Sequence, residues 1–180
     1  MMMVKEGDTS WFLNNNLSGN HFDFLKGFMN EDWEGDLIKR RFLMIKELDD
    51  YLSGYFSDDY WYDEGFSIAQ ELLLKFSLRD WEELSSEVLN KPIEWKRKLA
   101  YCLHDESSMD ELNMLLKLLS TDDEELFGIC IDSLRSFANT ESKKLILKNP
   151  SILKRIYELI PNSGDASKKV FEAFLEKIQS

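Results

Sequence analysis

Cys102, His104 and Asp105 place a thiol, an imidazole and a carboxylate within four residues. Together such groups can make a nucleophile with its base, or part of a metal site. The segment ends a helical apolar pattern, however, and on a helix positions i and i+2 point in different directions. The expected reading is a histidine at a helix end beside a carboxylate. The other groups with chemical potential are paired carboxylates, among them Asp49-Asp50, Asp58-Asp59 and Asp63-Glu64. General acid–base work needs two such groups in contrasting environments. No histidine pair or strand context accompanies these, so they read as solvated surface. An enzyme of carboxylates alone, lacking any signature, is the third-ranked reading.

Asn14-x-Asn16-x-Ser18-Gly19 is similar to the start of a calcium-binding loop. It lacks the leading aspartate, and Leu25 stands where the bidentate glutamate belongs. The sequence contains no Gly-rich phosphate loop, no G-x-S-x-G, no C-x-x-C and no H-E-x-x-H. No catalytic, metal-binding or cofactor-binding residue is therefore expected, and the chain is read as a non-enzyme. Cys102 and Cys130 each lie in an apolar helical stripe and read as small buried hydrophobes, not as a disulfide.

The most distinctive stretch is residues 49–64. It holds six acids (Asp49, Asp50, Asp58, Asp59, Asp63, Glu64), six aromatics (Tyr51, Tyr55, Phe56, Tyr60, Trp61, Tyr62) and no base. Glu31-Asp32-Trp33-Glu34-Gly35-Asp36 has the same character. Tyr and Trp bury large areas at low entropic cost, which makes them binding anchors. Carboxylates beside them pair with Lys or Arg, and ring faces attract the same cations. Asp58, Asp59, Asp63 and Glu64 are the expected charge contacts; Tyr55, Tyr60, Trp61 and Tyr62 are the expected anchors. The competing reading makes the aromatics the core of a loop-rich subdomain and the acids its solvating surface.

Charge suits a basic partner, with simple solubility as the competing reading. The chain of 180 residues carries −12 at pH 7. Residues 1–90 hold 19 acidic and 8 basic residues, whereas residues 91–180 hold 15 and 14. Nearly all the acidic excess thus lies in the half that contains the aromatic segment. A duplex-binding domain carries a basic stripe, so direct nucleic-acid binding is not expected. No stretch approaches the ~20 apolar residues that span a bilayer, and the N-terminus lacks a signal-type apolar segment. No membrane association and a cytoplasmic location are the expectations.

These residues need a scaffold. The chain is 43 % hydrophobic, with apolar residues recurring throughout, which fits one folded helical domain over 1–180. From Ser77 onward helical signals are clear. Capping-box patterns occur at Ser77/Asp80, Ser108/Glu111 and Thr121/Glu124. Leu112, Leu115, Leu116 and Leu119 make an i, i+3, i+4, i+7 stripe, and Leu126, Cys130, Leu134 and Phe137 another. Asp122, Asp123, Glu124 and Glu125 suit the positive end of a helix dipole. Pro92 and Pro150 fit first helical turns. The starts at Ser77, Ser108 and Thr140 are 31 and 32 residues apart, and those at Pro92, Thr121 and Pro150 are 29 apart twice. Helix pairs recurring at that interval predict an all-α fold of stacked antiparallel pairs over 77–180, a HEAT-like α-solenoid. A non-repeating helical bundle is the alternative.

Residues 1–76 read as the less regular part, since six of eight glycines precede residue 66. Helices are expected at His21–Met29, Leu37–Leu52 and Phe66–Phe76, with a loop around 53–64. Lys96-Arg97-Lys98 and Lys143-Lys144, on or near the concave face of the stack, read as ordinary surface charge.

Taken together, the Trp33–Leu52 region, the acidic aromatic stretch to Glu64, and Trp81-Glu82-Glu83-Leu84 with the helix pairs to Phe137 resemble the small acidic immunity proteins of bacterial toxin–immunity systems, including contact-dependent inhibition. The resemblance implies a cytoplasmic protein that binds one cognate toxin domain and blocks it. The expected partner is basic, for instance a nuclease. A HEAT-like adaptor that binds cellular proteins along its concave face is the rival expectation.

Overall fold

Residues 43–179 are described by a computed structural model. The expected helix His21–Met29, the calcium-loop-like Asn14–Gly19 and the acidic run Glu31–Asp36 lie outside the described residues.

The chain is helical from residue 43 to 52 (α1). The next helix, α2, is a continuous run of three parts: Asp58–Tyr60, a π-helical turn Trp61–Gly65, and Phe66–Leu73. Then follow α3 (Leu78–Glu87), α4 (Ile93–Cys102), α5 (Met109–Leu118), α6 (Glu124–Leu134), α7 (Thr140–Leu147), α8 (Pro150–Leu159) and α9 (Asp165–Gln179). No strand occurs among the described residues, so the fold class is all-α.

Local chemistry accounts for most helix starts. At Ser77 the Asp80 carboxylate accepts from the Ser77 backbone N–H at 2.7 Å and from its hydroxyl at 2.6 Å. This is the expected capping box. Ser108 Oγ accepts from the Glu111 N–H at 3.2 Å. One start differs from expectation. The cap of α6 is Asp123, not Thr121, and its carboxylate accepts from the Leu126 N–H at 2.7 Å. A carboxylate outcompetes a neighbouring threonine for this role. α7 opens at Thr140 as expected, capped by Asn139, whose side chain accepts from the Ser142 N–H at 2.9 Å. Pro150 opens α8 as expected, whereas Pro92 occupies the cap position just before Ile93.

The expected loop over 53–64 is confined to residues 53–57. Ser57 caps a helix that begins at Asp58, its hydroxyl accepting from the Tyr60 N–H at 3.3 Å. Asp58 and Asp59 occupy the first turn, where the helix dipole favours negative charge. Ser53 and Gly54 turn the chain as expected, whereas Ser57, Asp58 and Asp59 make a helix start.

Helices two apart in the chain are neighbours. α2 packs on α4 and α4 on α6; α3 packs on α5 and α5 on α7; α5 joins the two rows through α4 and α6. At the end the succession changes, because α9 and not α8 lies along α6. This explains why α5 and α6 bury more than one stripe. Leu112, Met114, Leu115 and Leu118 of α5 are all buried, as are Leu126, Phe127, Cys130, Ile131 and Leu134 of α6. Each fully buried side chain of this size contributes roughly 1.5–3 kcal/mol, so α5 and α6 form the centre of the core.

Candidate functional site

Residues 49–64 divide between core and surface. Tyr51, Phe56, Tyr60 and Trp61 form one aromatic cluster. Phe56 lies 5.0 Å from Tyr51, 5.7 Å from Tyr60 and 5.5 Å from Trp61, centroid to centroid. A cation already sits in it. Lys98 Nζ of α4 is 4.8 Å from the Phe56 ring and 5.7 Å from that of Trp61. The same ammonium donates to the carbonyls of Leu52 at 3.0 Å and Gly54 at 2.6 Å, closing the C-terminal end of α1. Burial lowers the Lys98 pKa, opposed by Glu94.

Trp61 is only 5 % exposed. It is therefore a core residue, and its expected role as a surface anchor is overturned. The aromatics of this stretch attract a cation as expected, but that cation is internal.

The π-helical turn decides which residues face out. Its irregular backbone is held by Tyr51, whose hydroxyl donates to the Gly65 carbonyl at 2.8 Å. Burial, then Tyr60, pushes the Tyr51 phenol up to about 12. A Cβ at Gly65 would stand 3.1 Å from the Trp61 ring and 3.2 Å from that of Tyr60, so glycine permits this close approach. π turns recur at functional sites in helices. Here Trp61 and Gly65 are buried while Tyr62, Asp63 and Glu64 are exposed.

The outward part of the segment matches the rest of the expected set. Asp58, Asp59, Asp63 and Glu64 are exposed. Tyr55 is 96 % exposed, Tyr62 51 % and Tyr60 39 %. Asp49 pairs with Lys91 at 2.8 Å and Asp50 with Lys46. By contrast, Asp58, Asp59, Asp63 and Glu64 make no ion pair among the described residues.

Tyr62 also borders a groove of about 500 Å³ that runs across α2, α4, α6 and α9. Phe66 and Tyr101 form its aromatic wall, Tyr101 lying edge-on to Tyr62 at 5.0 Å and to Phe66 at 5.5 Å. Burial, then Tyr62, raises the Tyr101 phenol pKa. From α6 come Glu125, Gly128, Ile129 and Asp132, and Val170 comes from α9. Glu125 pairs with Arg97 at 2.9 Å, and Asp132 pairs with Arg135 one helical turn on.

The basic cluster on α4 is not ordinary surface charge, contrary to expectation. Lys96 is buried and donates to the Leu89 carbonyl at 3.3 Å. Arg97 faces three carboxylates: Glu94 at 2.8 Å, Asp123 at 2.9 Å and Glu125 at 2.9 Å. Its pairing holds the Asp123 carboxyl below its ordinary range against the opposing effect of burial. The acidic run 122–125 thus does more than solvate a helix end, because Asp123 ties α6 to α4.

Cys102, His104 and Asp105 do not assemble. The Cys102 thiol is buried, donates to the Lys98 carbonyl at 3.2 Å, and is pushed up by burial, away from the thiolate form. Cys130 is likewise buried and pushed up. His104 is exposed and lies 2.9 Å from Gln70 Nε2. Asp105 accepts from the Ser107 N–H and hydroxyl at 3.0 and 2.7 Å, which hold its carboxyl low. Glu111 departs from the expected reciprocal box: its carboxylate accepts from the Asp105 N–H at 2.9 Å, not from the Ser108 N–H. Burial raises its pKa to about 7. Among the described residues no three His, Cys, Asp or Glu side chains are grouped to hold a metal ion.

Sequence reasoning missed the groove, the Lys98 cage and the Arg97–Asp123 link, all of which join residues distant in the chain. Gly128, inside an otherwise strong helical pattern, was the one sequence signal of the groove.

No family model matches the chain, and neither a curated protein nor a solved structure matches it. Among the described residues no helix is long and apolar enough to cross a membrane.

Proposed function

We propose that this chain is an immunity protein, cytoplasmic in location, that binds a cognate bacterial toxin domain and neutralises it. The observation that carries this reading is the outward face of α2. Four carboxylates, Asp58, Asp59, Asp63 and Glu64, stand exposed without a cation among the described residues, beside exposed Tyr55, Tyr60 and Tyr62. Unpaired like charges crowded on one helix repel one another, and a basic partner relieves that repulsion on binding. The tyrosines supply contact area that the carboxylates lack. The partner is accordingly a basic protein domain, such as a nuclease whose active site ordinarily holds phosphates. Inhibition follows from covering that site; no cofactor takes part.

A pull-down from the native bacterium with the tagged chain, read by mass spectrometry, tests this. One stoichiometric basic toxin domain is expected. Several ordinary cellular proteins, or none, would remove the reading.

The part of the groove formed by α4, α6 and α9 favours a second reading, a HEAT-like adaptor whose stacked helix pairs bind cellular proteins along one row. That reading places binding on the second half of the chain. Gene neighbourhood separates the two, because an immunity gene sits directly behind a toxin gene.

A further inference from the structure

We propose that the groove between α2, α4, α6 and α9 receives an arginine side chain of the protein partner; this rests on the reading that the partner is basic.

Charge is the first argument. Glu125 and Asp132 line the groove together with His104, an imidazole within hydrogen-bond distance of Gln70, and no lysine or arginine does. Both acids have an internal base, but neither base neutralises the site. Arg97 is shared by Glu94, Asp123 and Glu125, three carboxylates to one guanidinium. Arg135 meets Asp132 on an exposed face, with both side chains open to solvent that screens the pair. Lys168 and Lys169 of α9 are not among the lining residues, and Lys168 reaches Glu172 on its own helix at 4.0 Å. The groove is therefore net acidic.

Its walls specify which cation. Tyr62, Phe66 and Tyr101 present ring surface, and the Tyr62 and Tyr101 hydroxyls make no hydrogen bond among the described residues. A guanidinium stacks on ring faces, is weakly hydrated and forks onto carboxylates, whereas an ammonium keeps its water. Glu125, Gly128, Ile129 and Asp132 stand at i, i+3, i+4 and i+7, so they share one face of α6. The apolar middle of that face suits the arginine stem, with a carboxylate toward either end.

Gly128 is the third argument. Glycine inside a helix is less favourable than alanine. Nothing in the packing requires it here, for a Cβ at Gly128 would meet no atom within 4 Å. The space it leaves is the floor of the groove.

The probe is the peptide acetyl-Gly-Arg-Gly-amide, with its citrulline counterpart as the neutral isostere, each titrated into the ¹⁵N-labelled chain. The arginine peptide is expected to shift the amide signals of Tyr101, Gly128, Ile129 and Ser133 in a saturable way, and the citrulline peptide to bind at least tenfold more weakly. Asp132→Asn keeps the shape of the groove and should weaken the arginine peptide severalfold. Gly128→Leu fills the floor while favouring the helix, so it should fold and lose the response. The proposal is overturned by equal shifts from both peptides, by shifts confined to residues 55–60, by no shift in the groove, or by an undiminished response in Gly128→Leu. None of these outcomes touches the toxin-binding reading, which the pull-down decides.

Discussion

Trp61→Ala distinguishes a core residue from a binding anchor. Trp61 is 5 % exposed, with the Phe56 and Tyr51 rings 5.5 and 6.5 Å away, Gly65 against its face and Lys98 Nζ over its ring at 5.7 Å. A tryptophan buries about 150–250 Å², worth about 4–6 kcal/mol at ~25 cal/mol per Å² as an upper bound. Truncation retains part of that in the alanine and lets neighbours relax, so the cost is about 4 kcal/mol, within the range for such substitutions. With a urea m-value of about 2 kcal/mol per M for a chain of this size, the midpoint should fall by about 2 M. The assay is urea denaturation followed by circular dichroism at the helix band, which avoids the fluorescence of the other tryptophans. Loss of the Trp61 face also frees Lys98 from part of its cage, adding to the effect in the same direction. A midpoint shift below about 0.5 M with unchanged m would refute the core assignment and return Trp61 to the surface.

Three further outcomes follow from the same contacts. The Glu111 carboxyl, 7 % exposed, has its pKa raised by burial from 4.5 to about 7, so between those values the folded chain binds more protons than the unfolded one. Stability should therefore fall by up to about 3 kcal/mol as pH rises from 4.5 to 7 and level off above; in Glu111→Gln that descent should vanish from the pH series of urea midpoints, and its persistence would acquit Glu111. Asp123→Ala removes both the cap of α6 and the partner of Arg97 and should cost about 2 kcal/mol, whereas Thr121→Ala should cost under about 0.5 kcal/mol. Equal costs in thermal unfolding would contradict the cap assignment. Reversal of Asp58 and Asp59 to lysine should slow association with the toxin domain roughly tenfold at low salt and flatten its salt dependence; an unaltered on-rate in stopped-flow would dismiss electrostatic steering by this face.

What the sequence determined by itself is local. Apolar periodicity, the Ser77/Asp80 box and the proline positions were enough for the all-α class and for most boundaries from residue 77 onward. Those signals act within one or two helical turns and survive in any context. The concentration of acids and aromatics in 49–64 was equally legible, as were the buried cysteines. Other local readings failed where two candidates competed within a turn. Asp123 displaced Thr121 as the cap of α6, and its carboxylate also meets Arg97, a residue 26 positions away.

Only the tertiary structure decided which aromatics are surface. Tyr62 and Trp61 are adjacent and chemically alike, yet a π turn and the fit of Gly65 against two rings send one outward and the other into the core. The same holds for Lys98, indistinguishable in sequence from a solvated lysine until α1 and α4 bring two carbonyls and two ring faces to its ammonium. The groove has no sequence address at all, because its walls come from four helices spread over residues 62–170. Periodicity tells which face of a helix is apolar, but the partner of that face, and the space left between partners, depends on contacts across the whole chain.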